Sequence, residues 1–565
     1  AAVKTFSPNQ ATGSIADPVF SLAAGDDLSP AQIDSLAGYI RSNGPALQAK
    51  GPISLRLVSQ TLVGADRYVR FRQVLRFNIG SRENLVPLEG ASVVAKITET
   101  KLVSLNSSLV SQANLGLSGQ PSGFKFAFRD AEMARLIGFL KTSEAARLTA
   151  KDFFDSVARR SNQKFDLELF LNREVAEQRV SMARFFGALG PIGTTRLLLE
   201  FALKDQVAFV RYGDQWMIQL TGLFDLPVQF DVTPSSQPAG PLIVRNLREL
   251  RTRATEVRAY ESPFFPGGKK VEGGEHASRA AARMKQISQY FNDRFGLASY
   301  KGKAVDAQLD VHTQLKSIDF RENASWVGSM QKFIVGEGGA TLQHIDDSLS
   351  VLGHEYSHAI IQFSSGLAYR GQSGALNEHF ADIQGATLDA TINNGGKFRF
   401  TIGEEILTPA VKTEKAKILD LIFSNQKYSS FDIARFSLNQ VGLRHLFAPM
   451  LSLSTQYDSL AELKKVYPDS CQPSVDNDNC GVHSASGLPN KAASMIISTL
   501  GLDETRSLFF NTLVYRLNPS SNFRDYLVQL VEECKATPKL MSKCDVIVSS
   551  FAQVGVTYPR PGEVS

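Results

Sequence analysis

The sequence contains 565 residues, of which 43% are hydrophobic and 21% charged, and its formal net charge is +5. This composition is that of ordinary globular protein and excludes a disordered or fibrous chain. So small a charge implies no nucleic-acid partner, and the sequence has no run of eighteen apolar residues to span a membrane. The length predicts three or four domains.

The first 125 residues are predicted to form an irregular arm and a small α+β domain. Ser29 and Pro30 provide a cap and a first-turn proline for a helix. Three runs have the patterning of strands, at residues 53–62, 68–79 and 91–97. In the second run, apolar residues alternate with Arg70, Arg72 and Arg76. We expect these arginines to form a solvated face, and a binding surface is the alternative.

Residues 126–235 are predicted to form a second α+β domain. A helix with an apolar side begins at Leu148. Strands are predicted to follow it, at residues 165–171, 196–203, 206–212 and 215–221. Gly213-Asp214 is a two-residue hairpin turn between the last two strands. The Pro/Ser-rich residues 233–240 are the best candidate for a linker to the rest of the chain.

A motif typical of metal sites follows. His354 and His358 are four residues apart, so on a helix both imidazoles can reach one point. Zinc takes nitrogen and carboxylate ligands and, in catalytic sites, keeps one position for water. Glu355 lies where a base could accept a proton from that water. On a second predicted helix, Glu378 is the natural third ligand, and Asp382 is the natural acceptor for the far nitrogen of a ligand histidine.

An accidental match of two solvated histidines is the alternative. With eight histidines in 565 residues, a chance match has odds on the order of one in a few hundred. A third carboxylate on a separate helix lowers these odds further. The sequence therefore predicts one catalytic zinc ion.

These residues resemble the site of the thermolysin-like zinc metallopeptidases. Nineteen residues separate His358 from Glu378, and the segment Gly366 to Tyr369 between them fits the family without a gap. The resemblance covers residues 240–565. Residues 1–125 are similar to the fungalysin/thermolysin propeptide domain, and residues 126–235 are similar to the PepSY module that often accompanies it.

The resemblance implies a role for further residues. Tyr369 and His483 are expected to donate hydrogen bonds to the reacting oxygen, and Asp478 is expected to orient His483. Asn377 is expected to hold His358, as Asp382 holds His354. The residues expected to bind the substrate are Asn323 and Ala324, on the edge strand beside the cleft, and Arg444.

The fold class implied is multidomain α+β. We expect two N-terminal prodomains, then a β-rich lobe that includes the zinc helices, and finally a mostly α-helical lobe, with the zinc cleft between the lobes. The predicted boundaries are residues 1–125, 126–235, 236–390 and 391–565.

A calcium site, usual in the family, is doubtful in this sequence. Asp389 and Glu404 stand at matching places, but Ser350, Arg399 and Thr401 occupy positions where acids are expected. Calcium is held by several carboxylate oxygens, and a nearby arginine opposes it.

The four cysteines lie in two close pairs near the end of the chain. Their number and spacing predict the disulfides Cys471–Cys480 and Cys534–Cys544 in an oxidising compartment, and four buried thiols are the alternative. We expect a secreted or periplasmic protein, with Ala1 as the first residue after removal of a signal peptide.

The function predicted is that of a secreted zinc endopeptidase that cleaves proteins or peptides before bulky hydrophobic residues. Its N-terminal prodomain is expected to act as an intramolecular inhibitor in a proenzyme. Two alternatives are a catalytically silent binding protein on a peptidase scaffold and an aminopeptidase of the same superfamily.

Overall fold

A computed structural model gives the fold. It describes residues 4–6, 28–44, 47, 53–63, 66–79, 82–98, 101–111, 120–126, 130–142, 144–188, 207–212, 215–220, 224–233, 257–261, 271–272, 274–297, 299–300, 307–312, 321–328, 331–336, 338–424, 429–453, 456–474 and 477–559. Among the helices of these residues, none is both long enough and apolar enough to cross a bilayer. The predicted strand at residues 196–203 and the linker at 233–240 lie outside them, except for Thr233.

A nine-stranded sheet forms the N-terminal half of the protein. Its strands, in chain order, are β1 (Lys4–Phe6), β2 (Ser54–Val63), β3 (Asp66–Ile79), β4 (Arg82–Thr98), β5 (Lys101–Ser107), β6 (Gln120–Phe126), β7 (Val207–Tyr212), β8 (Gln215–Leu220) and β9 (Phe224–Thr233). The sheet order is β1-β5-β4-β7-β8-β9-β6, and β2 and β3 extend it from β4. All described pairs are antiparallel except β4 with β7, which meet at one parallel bridge between Leu88 and Phe209.

Helix α1 (Pro30–Ser42) covers one face of this sheet, as its sequence predicts. The side chain of Ser29 caps the helix by accepting a hydrogen bond from the backbone N–H of Gln32. Ile33, Leu36 and Ile40 recur at helical spacing and are buried against the strands in a separate hydrophobic core.

Four helices lie between β6 and β7 in the described part of this segment. They are α2 (Asp130–Thr142), α3 (Glu144–Ser161), α4 (Leu167–Leu171) and α5 (Val175–Gly187). The predicted helix at Leu148 therefore begins earlier, at Glu144. The strand predicted at residues 165–171 is wrong, because Asp166 caps a helical turn there by accepting from the backbone N–H of Leu169. The hairpin of β7 and β8, closed at Tyr212 and Gln215, is confirmed.

The C-terminal half begins with a five-stranded sheet. Its strands are β10 (Val257–Glu261), β11 (Val271–Glu272), β12 (Ala307–His312), β13 (Ala324–Val327) and β14 (Lys332–Gly336), in the order β11-β10-β12-β14-β13. Helix α6 (Glu275–Phe295) packs on this sheet. Strand β13 pairs only with β14 in the described part of the sheet and is therefore an edge strand, as predicted.

Helices form the rest of the chain around one large hydrophobic core. The two central ones are α7 (Leu349–Phe363) and α8 (Gly371–Ile392), and nearly every side chain of α8 is buried. The others are α9 (Pro409–Ser424), α10 (Ser430–Arg435), α11 (Leu460–Val466), α12 (Asp478–Ala485), α13 (Gly487–Leu500), α14 (Leu502–Asn511), α15 (Phe523–Ala536) and α16 (Asp545–Gln553). A π-helical turn, Thr512–Arg516, joins α14 to α15, and two short strands, β15 (Thr401–Ile402) and β16 (Arg444–His445), form a hairpin-like pair.

The basic strand β3 docks on the helical region. Arg70 is only 5% exposed, and its guanidinium donates to the carbonyls of Val514 and Leu517 at 3.1 and 3.2 Å. The ring of Tyr68 stacks on that of Tyr515, with ring centroids 5.1 Å apart. The prediction of a solvated face is therefore wrong at Arg70, because unpaired carbonyls at the π-helical turn accept its N–H groups.

Candidate metal centre and active site

The candidate site depends on a close crossing of α7 and α8. A methyl group on Gly385 would lie 2.3 Å from the carbonyl oxygen of Ser350, and one on Gly353 would lie 2.5 Å from Cδ1 of Leu388. Only glycine permits so close an approach at Gly385, where the neighbour is main chain, whereas at Gly353 the Leu388 side chain would have to shift. The crossing places the polar side chains of both helices together in the protein interior.

Three of these side chains converge on one point. The Nε2 atoms of His354 and His358 are 3.0 Å apart. Glu378 places its carboxylate oxygens 3.5 Å from Nε2 of His354 and 3.4 Å from Nε2 of His358. In the part of the chain that the structure describes, this is the one group of three histidine, cysteine or acidic residues whose ligand atoms lie within 4.8 Å of one another.

The far nitrogens of both histidines face oxygen acceptors. Nδ1 of His358 lies 2.8 Å from Oδ1 of Asn377, and Nδ1 of His354 lies 3.0 Å from Oδ1 of Asp382. The contact of His354 with Asp382 is within ion-pair distance but departs from hydrogen-bond geometry. With oxygen acceptors at both Nδ1 atoms, the matching tautomer has the proton on Nδ1 and the lone pair of Nε2 at the common point. Burial also lowers the pKa of His358, which favours its neutral form. Two lone pairs and a carboxylate facing one another fit a zinc ion with His₂Glu ligation.

Arg444 lies against the acidic side of this group. Its guanidinium contacts Oε2 of Glu378 at 2.8 Å and donates to Oδ1 of Asp382 at 2.7 Å. Burial by itself raises the pKa of Glu378, but His483, Arg444 and His358 hold that pKa well below its usual value. Both carboxylates are therefore ionised, as a ligand and its supporting group must be.

Glu355 is held by the edge strand. The backbone N–H of Trp326 donates to its Oε2 at 2.7 Å, and the Trp326 indole donates to Gln362. Burial raises the pKa of Glu355. The charge of His358 and the Trp326 N–H lower this pKa, but by less than burial raises it. Trp326 was not among the predicted residues, because a main-chain contact between positions 29 apart leaves no signal in residue type.

Tyr369 and His483 meet beside Glu378. The Tyr369 hydroxyl donates to Oε1 of Glu378 and lies 3.0 Å from Nε2 of His483. Burial, together with Glu378, raises the pKa of Tyr369 well above its usual value, so the hydroxyl keeps its proton. The His483 side chain is 45% exposed and can therefore be reached from solvent.

Asp478 orients His483 through two contacts. Its carboxylate lies 2.6 Å from Nδ1 and accepts from the backbone N–H of His483 at 2.8 Å. Desolvation lowers the pKa of His483, but the charges of Glu378 and Asp478 raise it overall. The arrangement leaves Nε2–H of His483 as a donor toward the ligand group.

The segment that carries Asp478 opens α12, but its first four residues do not have helical backbone angles. Asp478, Asn479 and Cys480 all have positive φ, between 49° and 65°, as does Gly481. The disulfide Cys471–Cys480 closes a loop that ends in this segment. That pairing, and the second disulfide between Cys534 and Cys544, are as predicted from the sequence.

The substrate-binding positions lie at the start of β13. Asn323 Oδ1 accepts from the N–H of Ala324, and Ala324 pairs with Val335 of β14. The structure thus brings Asn323 and Ala324 to the strand that holds Glu355. Arg444, the third predicted substrate-binding residue, lies against Glu378 and Asp382, beside the ligand group.

The residues at the calcium positions do not fit that ion. Nη1 of Arg399 lies 3.7 Å from Oε2 of Glu404, and the side chains of Asn393 and Asn394 donate to Asp389. Ser350 donates to Glu405 and has no carboxylate to offer. An arginine beside Glu404 opposes a divalent cation. That calcium does not bind at these positions stays a prediction.

Comparison with protein families matches two models in succession. Residues 246–362 match "Thermolysin metallopeptidase, catalytic domain", and residues 365–556 match "Thermolysin metallopeptidase, alpha-helical domain". The first match contains His354, Glu355 and His358, and the second contains Glu378. Together the matches cover the five-stranded sheet and the helical region described above.

Three curated relatives are similar to the same part of the chain. An extracellular elastase of Staphylococcus epidermidis is 29% identical over 43% of this chain and 39% of its own length. The neutral protease NprE of Bacillus pumilus is 27% identical over 53% and 83%, and bacillolysin of Bacillus subtilis is 27% identical over 53% and 48%. The chain thus spans less than half the length of two of these three relatives.

One solved structure overlaps a similar share. The precursor of protealysin, a metalloproteinase from Serratia proteamaculans, matches 55% of this chain and 91% of its own, with 21% identity and a TM-score of 0.41. The family assignment rests on the two matched models, which cover consecutive parts of the chain, one ending at residue 362 and the other beginning at residue 365. Through residues 246–556, this chain belongs to the thermolysin family of metallopeptidases.

Proposed function

We propose that this chain is a zinc-dependent endopeptidase that hydrolyses peptide bonds in proteins. The observation that carries the proposal is the convergence of His354, His358 and Glu378 on one point, with Glu355 on the same helix as the histidines. The Tyr369–His483 pair, in contact with Glu378, completes a set of groups suited to amide hydrolysis.

Glu355 is proposed as the general base. Zinc held by the three ligands would lower the pKa of a water to about 7 and polarise the scissile carbonyl. With Oε2 held by Trp326, Oε1 of Glu355 is the oxygen able to accept the proton and pass it to the leaving nitrogen. The raised pKa of Glu355 makes its carboxylate a better proton acceptor.

Tyr369 and His483 are proposed to stabilise the substrate oxygen that gains negative charge. Once Glu378 serves as a metal ligand, the Tyr369 hydroxyl can donate elsewhere. Nε2–H of His483, oriented by Asp478, is the second donor. Removal of one such donor is expected to lower kcat by about 10²–10³-fold. Asn323 and Ala324 offer backbone groups at β13 to an extended peptide. Arg444 is also proposed to bind the substrate, and its contacts with Glu378 and Asp382 hold its guanidinium beside the ligand group.

Mass spectrometry of cleaved peptides tests the proposal in one experiment. The purified protein, after its linker is cut, is incubated with a peptide library blocked at its amino termini, with and without a zinc chelator. We expect internal cleavage that the chelator abolishes and added zinc restores. No cleavage by zinc-loaded protein would favour the silent binding protein, and cleavage only of unblocked peptides would favour the aminopeptidase.

The same library reports specificity. By family resemblance, the pocket for the residue after the scissile bond is lined by apolar residues: Leu342, Ile345, Val351, Ile402 and Leu443. The first four are buried, and Leu443 donates its N–H to the carbonyl of Ile402. Each buried methylene adds about 0.8 kcal/mol, and leucine has three more carbons than alanine, so leucine should exceed alanine by roughly 60-fold in kcat/KM. A preference for charged residues would contradict this lining.

The N-terminal half is proposed to be the prodomain of a proenzyme, with the domain boundaries predicted above. Arg70 and Tyr68 dock it on the π-helical turn Thr512–Arg516. Ser92 donates to Asn518 at 2.6 Å across the same contact. Helix α3, from the second predicted domain, comes within 8 Å of edge strand β13, measured between Cα atoms. A helix beside that strand would hinder an extended substrate, which supports the role of an intramolecular inhibitor.

An extracytoplasmic location is proposed as well. Two disulfides in 565 residues favour an oxidising compartment over the cytosol. One of the relatives is named an extracellular elastase. We therefore propose that the protein acts outside the cytoplasm, as a secreted or periplasmic peptidase.

A further inference from the structure

A chain of buried hydrogen bonds leads from the metal site into the helical region. Asp382, which holds His354 through Oδ1, accepts from Nδ2 of Asn490 through Oδ2 at 2.8 Å. Oδ1 of Asn490 lies 2.7 Å from Nδ1 of His379. Nε2 of His379 lies 3.0 Å from the hydroxyl of Tyr526. Asp382, Asn490, His379 and Tyr526 are each 0% exposed.

The partners fix the direction of each of these three hydrogen bonds. Asn490 must turn its amide N–H₂ to Asp382, because the reverse orientation would set its oxygen against a carboxylate. Its oxygen then accepts the Nδ1 proton of His379, which leaves Nε2 of His379 to accept from Tyr526. All donors therefore point toward Asp382, and hydrogen bonds in such a series strengthen one another.

This series of hydrogen bonds also ties two further helices, α13 and α15, to the ligand helix α8 at one carboxylate. His379 and Asp382 are three residues apart on α8 and share a face, directly after the ligand Glu378. Asn490 lies on α13 and Tyr526 on α15. A buried histidine costs free energy unless both nitrogens are satisfied, and here both are, by residues more than a hundred positions away.

We propose that Asn490, His379 and Tyr526 are positioning residues for the metal. By holding both the place and the rotation of the Asp382 carboxylate, they fix the ring of His354 with Nε2 directed at the zinc position. None of the three touches the metal or the substrate. The proposal rests on the metal site described above, and it assigns a task to residues outside the ligand set and its immediate partners.

Zinc affinity of the full chain tests this proposal. Competition with a chelator of known affinity gives the zinc Kd for the wild type and for Asn490→Ala, His379→Phe and Tyr526→Phe. Partners of ligand-supporting groups typically change metal affinity by about 10–100-fold. We expect a rise in Kd within that range for Asn490→Ala, and progressively smaller rises for His379→Phe and Tyr526→Phe.

Tyr515→Phe is the matched control. Tyr515 is buried like Tyr526, but its hydroxyl has no hydrogen-bond partner among the described residues, so its loss should leave the zinc Kd unchanged. Should Asn490→Ala and His379→Phe not fold, the comparison of Tyr526→Phe with Tyr515→Phe decides. A Kd for Tyr526→Phe at least twofold above that of Tyr515→Phe supports the proposal, and equal values overturn it.

Thermal unfolding separates positioning from a merely structural role. A weaker zinc Kd reduces the rise in Tm that zinc produces, by mass action. Positioning residues should therefore lower the Tm of the zinc-loaded protein more than that of the zinc-free protein. Equal losses in both forms, with an unchanged zinc Kd, would overturn the proposal. A wild-type chain that binds no zinc would instead refute the proposed function, so the two failures are distinguishable.

Discussion

Glu355→Ala should bind one equivalent of zinc and lose nearly all peptidase activity. Glu355 is not among the three convergent ligands, and its carboxylate is held by the N–H of Trp326 rather than by the histidines. Loss of a general base typically lowers the rate by about 10²–10⁴-fold. His358→Ala removes a ligand and should lose zinc and activity together. Metal analysis and hydrolysis of a protein substrate, on the same preparations, check both variants.

The matched control for this prediction is Glu355→Gln. The amide oxygen of glutamine can still accept from Trp326, so the edge strand stays in place while the base is removed. We expect Glu355→Gln to be as inactive as Glu355→Ala with normal zinc content. Substantial activity in either variant would refute the role of Glu355 as base.

The intact chain should have low activity, and cutting the linker should raise it. A domain tethered to its own target acts at a high effective concentration. Its apparent affinity can therefore exceed that of the free domain by about 10²–10⁴-fold. Cleavage between residues 233 and 260 would remove this advantage, and degradation of the released half would make activation irreversible. The described contacts of Arg70 and Ser92 with residues 514–518 are of the buried, polar kind that such docking needs.

Time-resolved gels run alongside an activity assay decide this point. We expect activity to follow the appearance of the cut chain, and Glu355→Ala to remain uncut if processing is autocatalytic. A variant with an added recognition sequence for an unrelated protease at residues 236–239 allows the cut to be made at will. Activity that precedes any cleavage would show a permanent accessory domain instead of an inhibitor.

The metal ligands could be predicted because their signal is local. His354 and His358 are one helical turn apart, and Glu378 and Asp382 repeat that spacing on the next helix, so residue type and periodicity are enough. The capped helix α1 and the β7–β8 hairpin were predictable for the same reason. In each case the determining contacts lie within a few residues of one another.

Where partners are distant, the sequence carried no such signal. Arg70 looks like one of a row of solvated arginines, and only the π-helical turn more than four hundred residues away makes it a buried anchor. Asp166 makes the segment after it a helical turn although the apolar residues there are typical of a strand. The Trp326 contact with Glu355 involves the main chain and could not be found from side-chain identity.

We expect the bridged loop before His483 to make the proposed peptidase activity depend on the redox state of the surroundings. Three consecutive non-glycine residues with positive φ cost free energy to hold, and the Cys471–Cys480 link holds them together with hydrogen bonds to Ser474 and Asn477. In a reducing cytosol that link would not persist. We expect the chain there to lack an ordered Asp478–His483 pair even with zinc present, and therefore to hydrolyse peptides more slowly than the oxidised chain. Proteolysis by a zinc-loaded, fully reduced and processed protein at the oxidised rate would exclude this dependence.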